Sequence, residues 1–277
     1  MTEVYNQNAL ACSKLTTRNF STSFSVSVRL LHPKFRMAIY AVYGFVRFAD
    51  EIVDSFFQQD QEYLLDKFRN DAYEAIERGF STNPILHSFQ WVVNEYGIDR
   101  ELIDSFLQSM EMDLHRRGHD RGSFHRYLYG SAEAVGLMCL KILTCEYGTY
   151  DDLKHPARKL GEAFQKVNFL RDIREDYLDR GRTYFPDLDM ERFDDKIKKE
   201  LEDEIQKDFD EALNGIKKLR TDSRFGVYVS YYYYTRLFSK IKKTKAENLV
   251  RQRYRISNVS KFFLTVFAWL RHLIRHY

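Results

Sequence analysis

An all-α protein is what this chain predicts, and three observations predict it. Helix breakers are sparse, with 4 prolines and 12 glycines in 277 residues. Apolar residues recur at three- and four-residue spacing, and Lys, Glu, Leu and Arg are abundant. A hydrophobic content of 44% is enough to bury a core, so residues 1–277 are expected to form a single domain.

The elements follow in order. Asn8 to Val28 reads as one helix or two, with Ser21, Ser23 and Ser25 around Phe20 and Phe24 as a turn or cap. Pro33 opens a helix that runs to about Phe57, since proline is tolerated in the first helical turn. Gln61–Arg78 is polar and amphipathic, and the Gly79–Pro84 stretch breaks it. Ile85–Tyr96 and Asp99–Asp113 flank Gly97, with Asp99 placed as an N-cap. His115 and His119 have HxxxH spacing, but HRRGHDRGSFH has two glycines and lacks the glutamate of HExxH, so a solvated loop is expected there rather than zinc. Phe124–Cys145 predicts a helix rich in small residues, from Gly130 to Gly136. After a turn around Tyr147–Asp152 comes a long central helix, ending near Arg180-Gly181 because glycine accepts the left-handed cap. Pro186 keeps the following stretch out of a helix. Lys199–Leu219 and Arg224–Ile241 are two further helices, the second carrying Tyr231 to Tyr234.

Composition also excludes. Cys12, Cys139 and Cys145 form no CxxC pair, which fits a reducing cytoplasm. The first residues lack a basic segment followed by an apolar one, and no apolar run reaches the roughly 20 residues that span a bilayer. The net charge of +3 is unevenly spread: Lys240–Tyr277 holds ten Lys or Arg against one acid, Glu247, so the rest of the chain is acidic. The closing KFFLTVFAWLRHLIRHY puts Phe262, Phe263, Val266, Trp269, Leu270 and Leu273 on one face. Such a helix either packs on the body or docks on anionic lipid, so the location is cytoplasmic with peripheral contact at the inner membrane face left open. Because the basic residues interleave with that apolar face, nucleic acid is not an expected partner.

The residues that carry chemistry lie on two polar stripes. In AFQKVNFLRDIREDYLDRGRTYFP, Gln165, Asn168, Asp172 and Asp176 fall at i, i+3, i+7 and i+11, a nearly straight line on a helix. In YAVYGFVRFADEIVD, Tyr43, Arg47, Asp50 and Asp54 fall at i, i+4, i+7 and i+11. Buried rows of carboxylates need a counter-charge, which Arg171, Arg174, Arg180 and Arg182 or hard divalent cations would supply. Magnesium takes oxygen ligands and readily shares them with phosphate, so two such rows with arginines describe a diphosphate site. The 16% aromatic content fits plain helix packing and also an apolar cavity lined by rings; both stay open.

RFADEIVD and QKVNFLRDIREDYLDRGRTYFP resemble the two signatures of the squalene and phytoene synthase family. STSF at Ser21–Phe24, MEMDL at Met110–Leu114, YLYGSAEAVG at Tyr127–Gly136 and RYRIS at Arg253–Ser257 extend the resemblance over nearly the whole chain. It departs at Glu51, where many members have aspartate, and at Glu133, where the family usually has glycine.

The resemblance implies an isoprenoid-synthase-type helical bundle around a central apolar cavity. It implies two or three Mg²⁺ ions, with Mn²⁺ as a substitute, on Asp50, Asp54, Asn168, Asp172 and Asp176, with Gln165 assisting. Ser21, Ser23, Arg47, Arg171 and Arg182 would bind diphosphate. Tyr43, Phe24 and Tyr234 would line the substrate pocket, and Tyr127 would be catalytic, the alternative being a core tyrosine bonded to backbone. Arg182 and Tyr184 would lie on a flexible flap over phosphates or on a plain connector.

The expected reaction is head-to-head condensation of two geranylgeranyl diphosphates to phytoene, through a cyclopropylcarbinyl diphosphate and with release of pyrophosphate. No GxGxxG follows a strand pattern, so NADPH is not expected. Two rivals remain: a C30 enzyme that condenses farnesyl diphosphate to dehydrosqualene or hydroxysqualene, and a non-catalytic assembly factor of the same fold.

Overall fold

The computed structural model describes residues 2–115, 118–251 and Tyr254. The described residues are helical apart from short connections and one isolated bridge between Gly118 and Thr183. In chain order the helices are α1 (Thr2–Phe20), α2 (Thr22–Arg29), α3 (Pro33–Ser55), α4 (Gln61–Arg78), α5 (Pro84–Tyr96), α6 (Arg100–His115), α7 (Arg121–Leu128), α8 (Val135–Thr144), α9 (Tyr150–Arg174), α10 (Asp195–Lys218), α11 (Thr221–Lys242) and α12 (Ala246–Leu249).

Local chemistry sets most of these boundaries. Asp60, Asn83, Asp120 and Asp194 accept hydrogen bonds from backbone N–H groups in the first turns of α4, α5, α7 and α10, satisfying donors that the helix leaves without partners. Pro33 and Pro84 stand in the first turns of α3 and α5. Ser21 is the cap predicted for the serine-rich segment: its side chain accepts from the Phe24 N–H at 3.3 Å and splits α1 from α2.

Two differences from the sequence reading have physical causes. The helix expected over Phe124–Cys145 is α7 and α8 joined by a π-helical turn, Tyr129–Ala134. At that turn Gly130 lies against α6 so closely that a Cβ on it would sit 2.1 Å from the Ser105 carbonyl oxygen. The second difference is at His119, which does not belong to a solvated loop. Its ring is half-buried and lies 5.9 Å from Tyr184, nearly parallel to it, and 5.0 Å from Tyr127.

The apolar residues form two clusters. One is built on α3, α5, α6 and α8, with Phe45 stacked on Phe89 at 3.8 Å near its centre. The other is built on α7, α9, α10, α11 and the segment after α9, around Phe209 and Phe238. α9 is fixed to α10 by ion pairs to the buried Asp208: Lys166 Nζ lies 2.7 Å and Lys159 Nζ 3.1 Å from its carboxylate oxygens. With α9 held from that side, its polar stripe is left to face the stripe of α3 across the seam between the clusters.

Candidate active site

The two stripes meet. Arg180, just beyond the C-terminal end of α9, places Nη1 3.2 Å from Asp54 Oδ2 and 3.1 Å from Asp176 Oδ1. Arg182 places its own Nη1 2.8 Å from Asp54 Oδ1. A π-helical turn at Glu175–Asp179 ends α9 and carries Asp176, a kind of widening that recurs at functional sites. Gly181 follows with φ 63°, the left-handed conformation expected of it, and turns the chain back over the stripes.

Each remaining residue of the two rows has a defined place. Arg47 pairs with Asp50 at 2.5 Å and also with Glu51, so Glu51 serves as a second anchor for Arg47. Arg171 donates from Nε to its neighbour Asp172 at 2.8 Å. Asn168 donates weakly to Gln165 at 3.4 Å and accepts from the Tyr234 hydroxyl at 3.3 Å. Tyr234 stacks on Phe164 with centroids 3.9 Å apart, and Phe24 stacks on Tyr43 at 5.1 Å. Burial pushes the Tyr43 hydroxyl up to about 12, against the pull of the Arg47 charge. Arg47 also stands over the ring of Phe20, 4.4 Å from its centroid. An aromatic floor therefore lies beside the charged groups, contributed by both sides of the seam. Ser23 is on α2 and half-buried.

The electrostatics are those of crowded acids. Burial, and then the charge of Asp54, pushes the Asp50 carboxyl up to about 6. Yet 33% of the Asp50 side chain stays accessible to water. Burial pushes Asp176 to about 7 against the pull of Arg180, with Asp172 and Asp54 adding to the rise. Arg171 and Arg182 are held firmly protonated by their carboxylate partners in spite of burial.

The donor chemistry fits a divalent cation: carboxylates that cannot all ionise without added positive charge, with neutral amide oxygens beside them. Among the described residues no three carboxylates, histidines or cysteines already converge on one point, and arginines stand between the rows instead.

The segment after α9 is packed onto the body of the protein and is more than a plain connector. Arg182 and Tyr184 are both buried, and the Arg182 N–H donates to the Asp176 carbonyl at 2.7 Å. Both side chains reach a carboxylate on α6 that spacing arguments missed, Asp113. Its Oδ2 accepts from the Tyr127 hydroxyl at 2.9 Å and its Oδ1 from the Tyr184 hydroxyl at 3.1 Å, with Arg182 Nη1 at 3.8 Å. Burial pushes Asp113 up to about 7. Tyr127 is thus a buried tyrosine as one reading held, but its partner is this carboxylate rather than backbone. The available signal was the MEMDL motif, which contains Asp113; Arg180 was legible only as one of several nearby arginines.

Glu133 is buried and paired with Arg158 in a separate groove of about 960 Å³ between α6, α7 and α9, which no residue of the two rows lines. The closing KFFLTVFAWLRHLIRHY and most of RYRIS fall outside the described residues. No described helix is long and apolar enough to cross a membrane.

The chain is similar to known proteins in sequence and in fold. Phytoene synthase 1, chloroplastic, from Solanum lycopersicum is 27% identical over 99% of this chain and 69% of its own length. The 4,4'-diapophytoene synthase of Staphylococcus haemolyticus (strain JCSC1435) is 27% identical over 88% of this chain and 90% of its own. A crystal structure of a dehydrosqualene synthase in complex with ligand superposes with a TM-score of 0.84 at 23% identity, covering 98% of both chains, a likeness of fold. The squalene/phytoene synthase family model matches residues 17–260, and the chain belongs to that family of prenyl-transferring enzymes.

Proposed function

We propose that the protein condenses two geranylgeranyl diphosphates head to head, forming phytoene by way of a cyclopropylcarbinyl diphosphate. The observation that carries this reading is the meeting of the two acidic rows at Arg180, beside the aromatic pairs Phe24–Tyr43 and Phe164–Tyr234. Charge for a leaving diphosphate and an apolar, electron-rich wall for an allylic cation are the two requirements of the chemistry, and they lie side by side.

Asp50, Asp54, Asn168, Asp172 and Asp176 would hold Mg²⁺, with Gln165 assisting. When bound, the metal supplies positive charge to the departing diphosphate. The chain's own groups do the rest. Arg47, Arg171 and Arg182 donate to phosphate oxygens, giving up part of their present pairing with carboxylates. Ser21, which caps α2, and Ser23, which lies on it, offer hydroxyl donors. The rings of Phe24, Tyr43, Phe164 and Tyr234 exclude water that would quench the cation. Tyr127 faces the same region through Asp113 and serves as the catalytic hydroxyl.

A C30 reaction on farnesyl diphosphate is the second reading, favoured by the similarity to the diapophytoene synthase over 90% of that enzyme's length. The deciding experiment incubates the purified protein with Mg²⁺ and each diphosphate separately, and identifies the hydrocarbon by mass. A C40 hydrocarbon from geranylgeranyl diphosphate is expected. A C30 product formed only from farnesyl diphosphate replaces the first reading with the second, and no product from either removes both.

A further inference from the structure

We infer that Asp113 is a positioning residue for the reaction: from α6 it fixes Arg182, Tyr184 and Tyr127 so that the segment after α9 lies closed against Asp54. The inference rests on the reading that the α3–α9 seam binds diphosphate, and it adds a residue that lies on neither acidic row.

The geometry is specific. Both carboxylate oxygens of Asp113 are used, one by a hydroxyl from α7 (Tyr127, 2.9 Å) and the other by a hydroxyl from the segment after α9 (Tyr184, 3.1 Å). Arg182 Nη1 lies 3.8 Å from Asp113 and 2.8 Å from Asp54, so one guanidinium nitrogen spans the distance between this carboxylate and the acidic row. The backbone is tied at the same height: the Arg182 N–H donates to the Asp176 carbonyl, and Thr183 bridges Gly118. Tyr184 also stacks on Phe169 of α9 at 4.3 Å, which sets the angle of its hydroxyl.

A buried carboxylate is a poor way to gain stability, because apolar residues of similar volume do as well or better. What Asp113 supplies instead is direction. The segment has no helical hydrogen-bond ladder of its own between Arg182 and Phe185. A side chain that must present its guanidinium to a diphosphate therefore needs an external partner to limit its rotamers, and a misplacement of about 1 Å in such a group costs on the order of a hundredfold in rate. Asp113 does not touch the reacting atoms; it acts through Arg182 and the two tyrosines.

The test compares wild type with Asp113→Asn, which keeps the shape and removes the charge. Limited trypsin digestion of the folded protein is the first measurement, because it needs no substrate. Cleavage after Arg182 is expected to speed up by about tenfold or more, the size of a coupling of one to two kcal/mol. Steady-state kinetics is the second: kcat is expected to fall by about tenfold or more, and Asp113→Asn is expected to cost clearly less in an Arg182→Ala background than in wild type, the remainder acting through the two tyrosines. A merely structural role would give additive losses in that background.

Should Asp113→Asn lose helical circular dichroism, Tyr184→Phe takes its place, since it keeps the stack on Phe169 and removes one hydroxyl. Unchanged trypsin cleavage, or losses that add in the Arg182→Ala background, overturns the inference. Binding of inorganic pyrophosphate with Mg²⁺ to wild type by calorimetry judges the diphosphate reading separately: if wild type binds none, that reading fails, while the digestion result still decides whether Asp113 holds the segment.

Discussion

Asp54 on α3 and Asp176 at the end of α9 share one nitrogen, Arg180 Nη1, at 3.2 and 3.1 Å. Two helices far apart in the chain are thereby joined through charge at the place where the substrate's diphosphates are proposed to lie. Asp176 is buried and Asp54 half-buried, and a pair of such carboxylates facing each other needs positive charge between them. Arg180→Gln is expected to lower unfolding stability by about 1–3 kcal/mol, because it leaves both acids without that partner. Since the guanidinium also competes with divalent cations, Mg²⁺ should raise the Tm of this variant more than that of wild type. Thermal melts of both proteins with and without Mg²⁺ check both parts.

The acidic rows are expected to act together in turnover. Asp54→Asn and Asp172→Asn each remove one negative oxygen donor with little change in volume, and each should abolish product formation while far-ultraviolet circular dichroism stays unchanged. EDTA should stop the wild-type reaction and added Mg²⁺ restore it. Normal turnover in either variant would remove the metal assignment.

The direction of the pH response follows from the raised carboxyls. Asp50 sits at about 6 and Asp176 at about 7, both above the ordinary aspartate value of 3.8, chiefly because of burial. The folded protein therefore binds these protons more tightly than the unfolded chain does. Their contribution to stability is fully present below about pH 4 and is lost as the pH rises through 6 to 7. Cation binding runs the other way, because it needs the ionised acids. Mg²⁺ affinity should increase between pH 5.5 and 8 with release of protons, and the Mg²⁺-induced rise in Tm should grow over the same range. Calorimetry in buffers of different ionisation enthalpy counts the protons; an affinity that is flat or falls with pH contradicts the assignment.

Much of this was legible in the sequence where local rules govern. The limits of α4 follow from Asp60 and Gly79, and the run of α3 follows from Pro33 and its apolar spacing. The stripes of α3 and α9 were legible because helical periodicity alone decides which side chains share a face. The Asp113 cluster was not, since Asp113, Tyr127, Arg182 and Tyr184 come from three separate elements and no spacing rule links them. The π-helical turn at Tyr129–Ala134 was hidden for a related reason: its small residues are compatible with an ordinary helix, and only the approach of α6 distinguishes the two.

That approach gives a prediction for a residue outside the site. A methyl group on Gly130 would lie 2.1 Å from the Ser105 carbonyl oxygen and 2.8 Å from Ser109 Cβ, and the first of these is backbone that has no rotamer to yield. Gly130→Ala must push α6 away from the π-helical turn, and overpacking of this kind costs about 1–3 kcal/mol or more. The same displacement acts on Asp113, one turn further along α6, and stretches its 2.9 Å hydrogen bond to Tyr127 just across the turn. Activity should therefore fall even at temperatures where the variant is fully folded. Gly136→Ala is the control, because its methyl group would meet the Ala157 carbonyl at 3.2 Å, a contact that a shift of a few tenths of an ångström relieves. Measured by thermal melts and by kcat well below Tm, Gly130→Ala should lose both stability and turnover while Gly136→Ala keeps most of each. Equal behaviour of the two variants would show that the α6 contact does not govern the site.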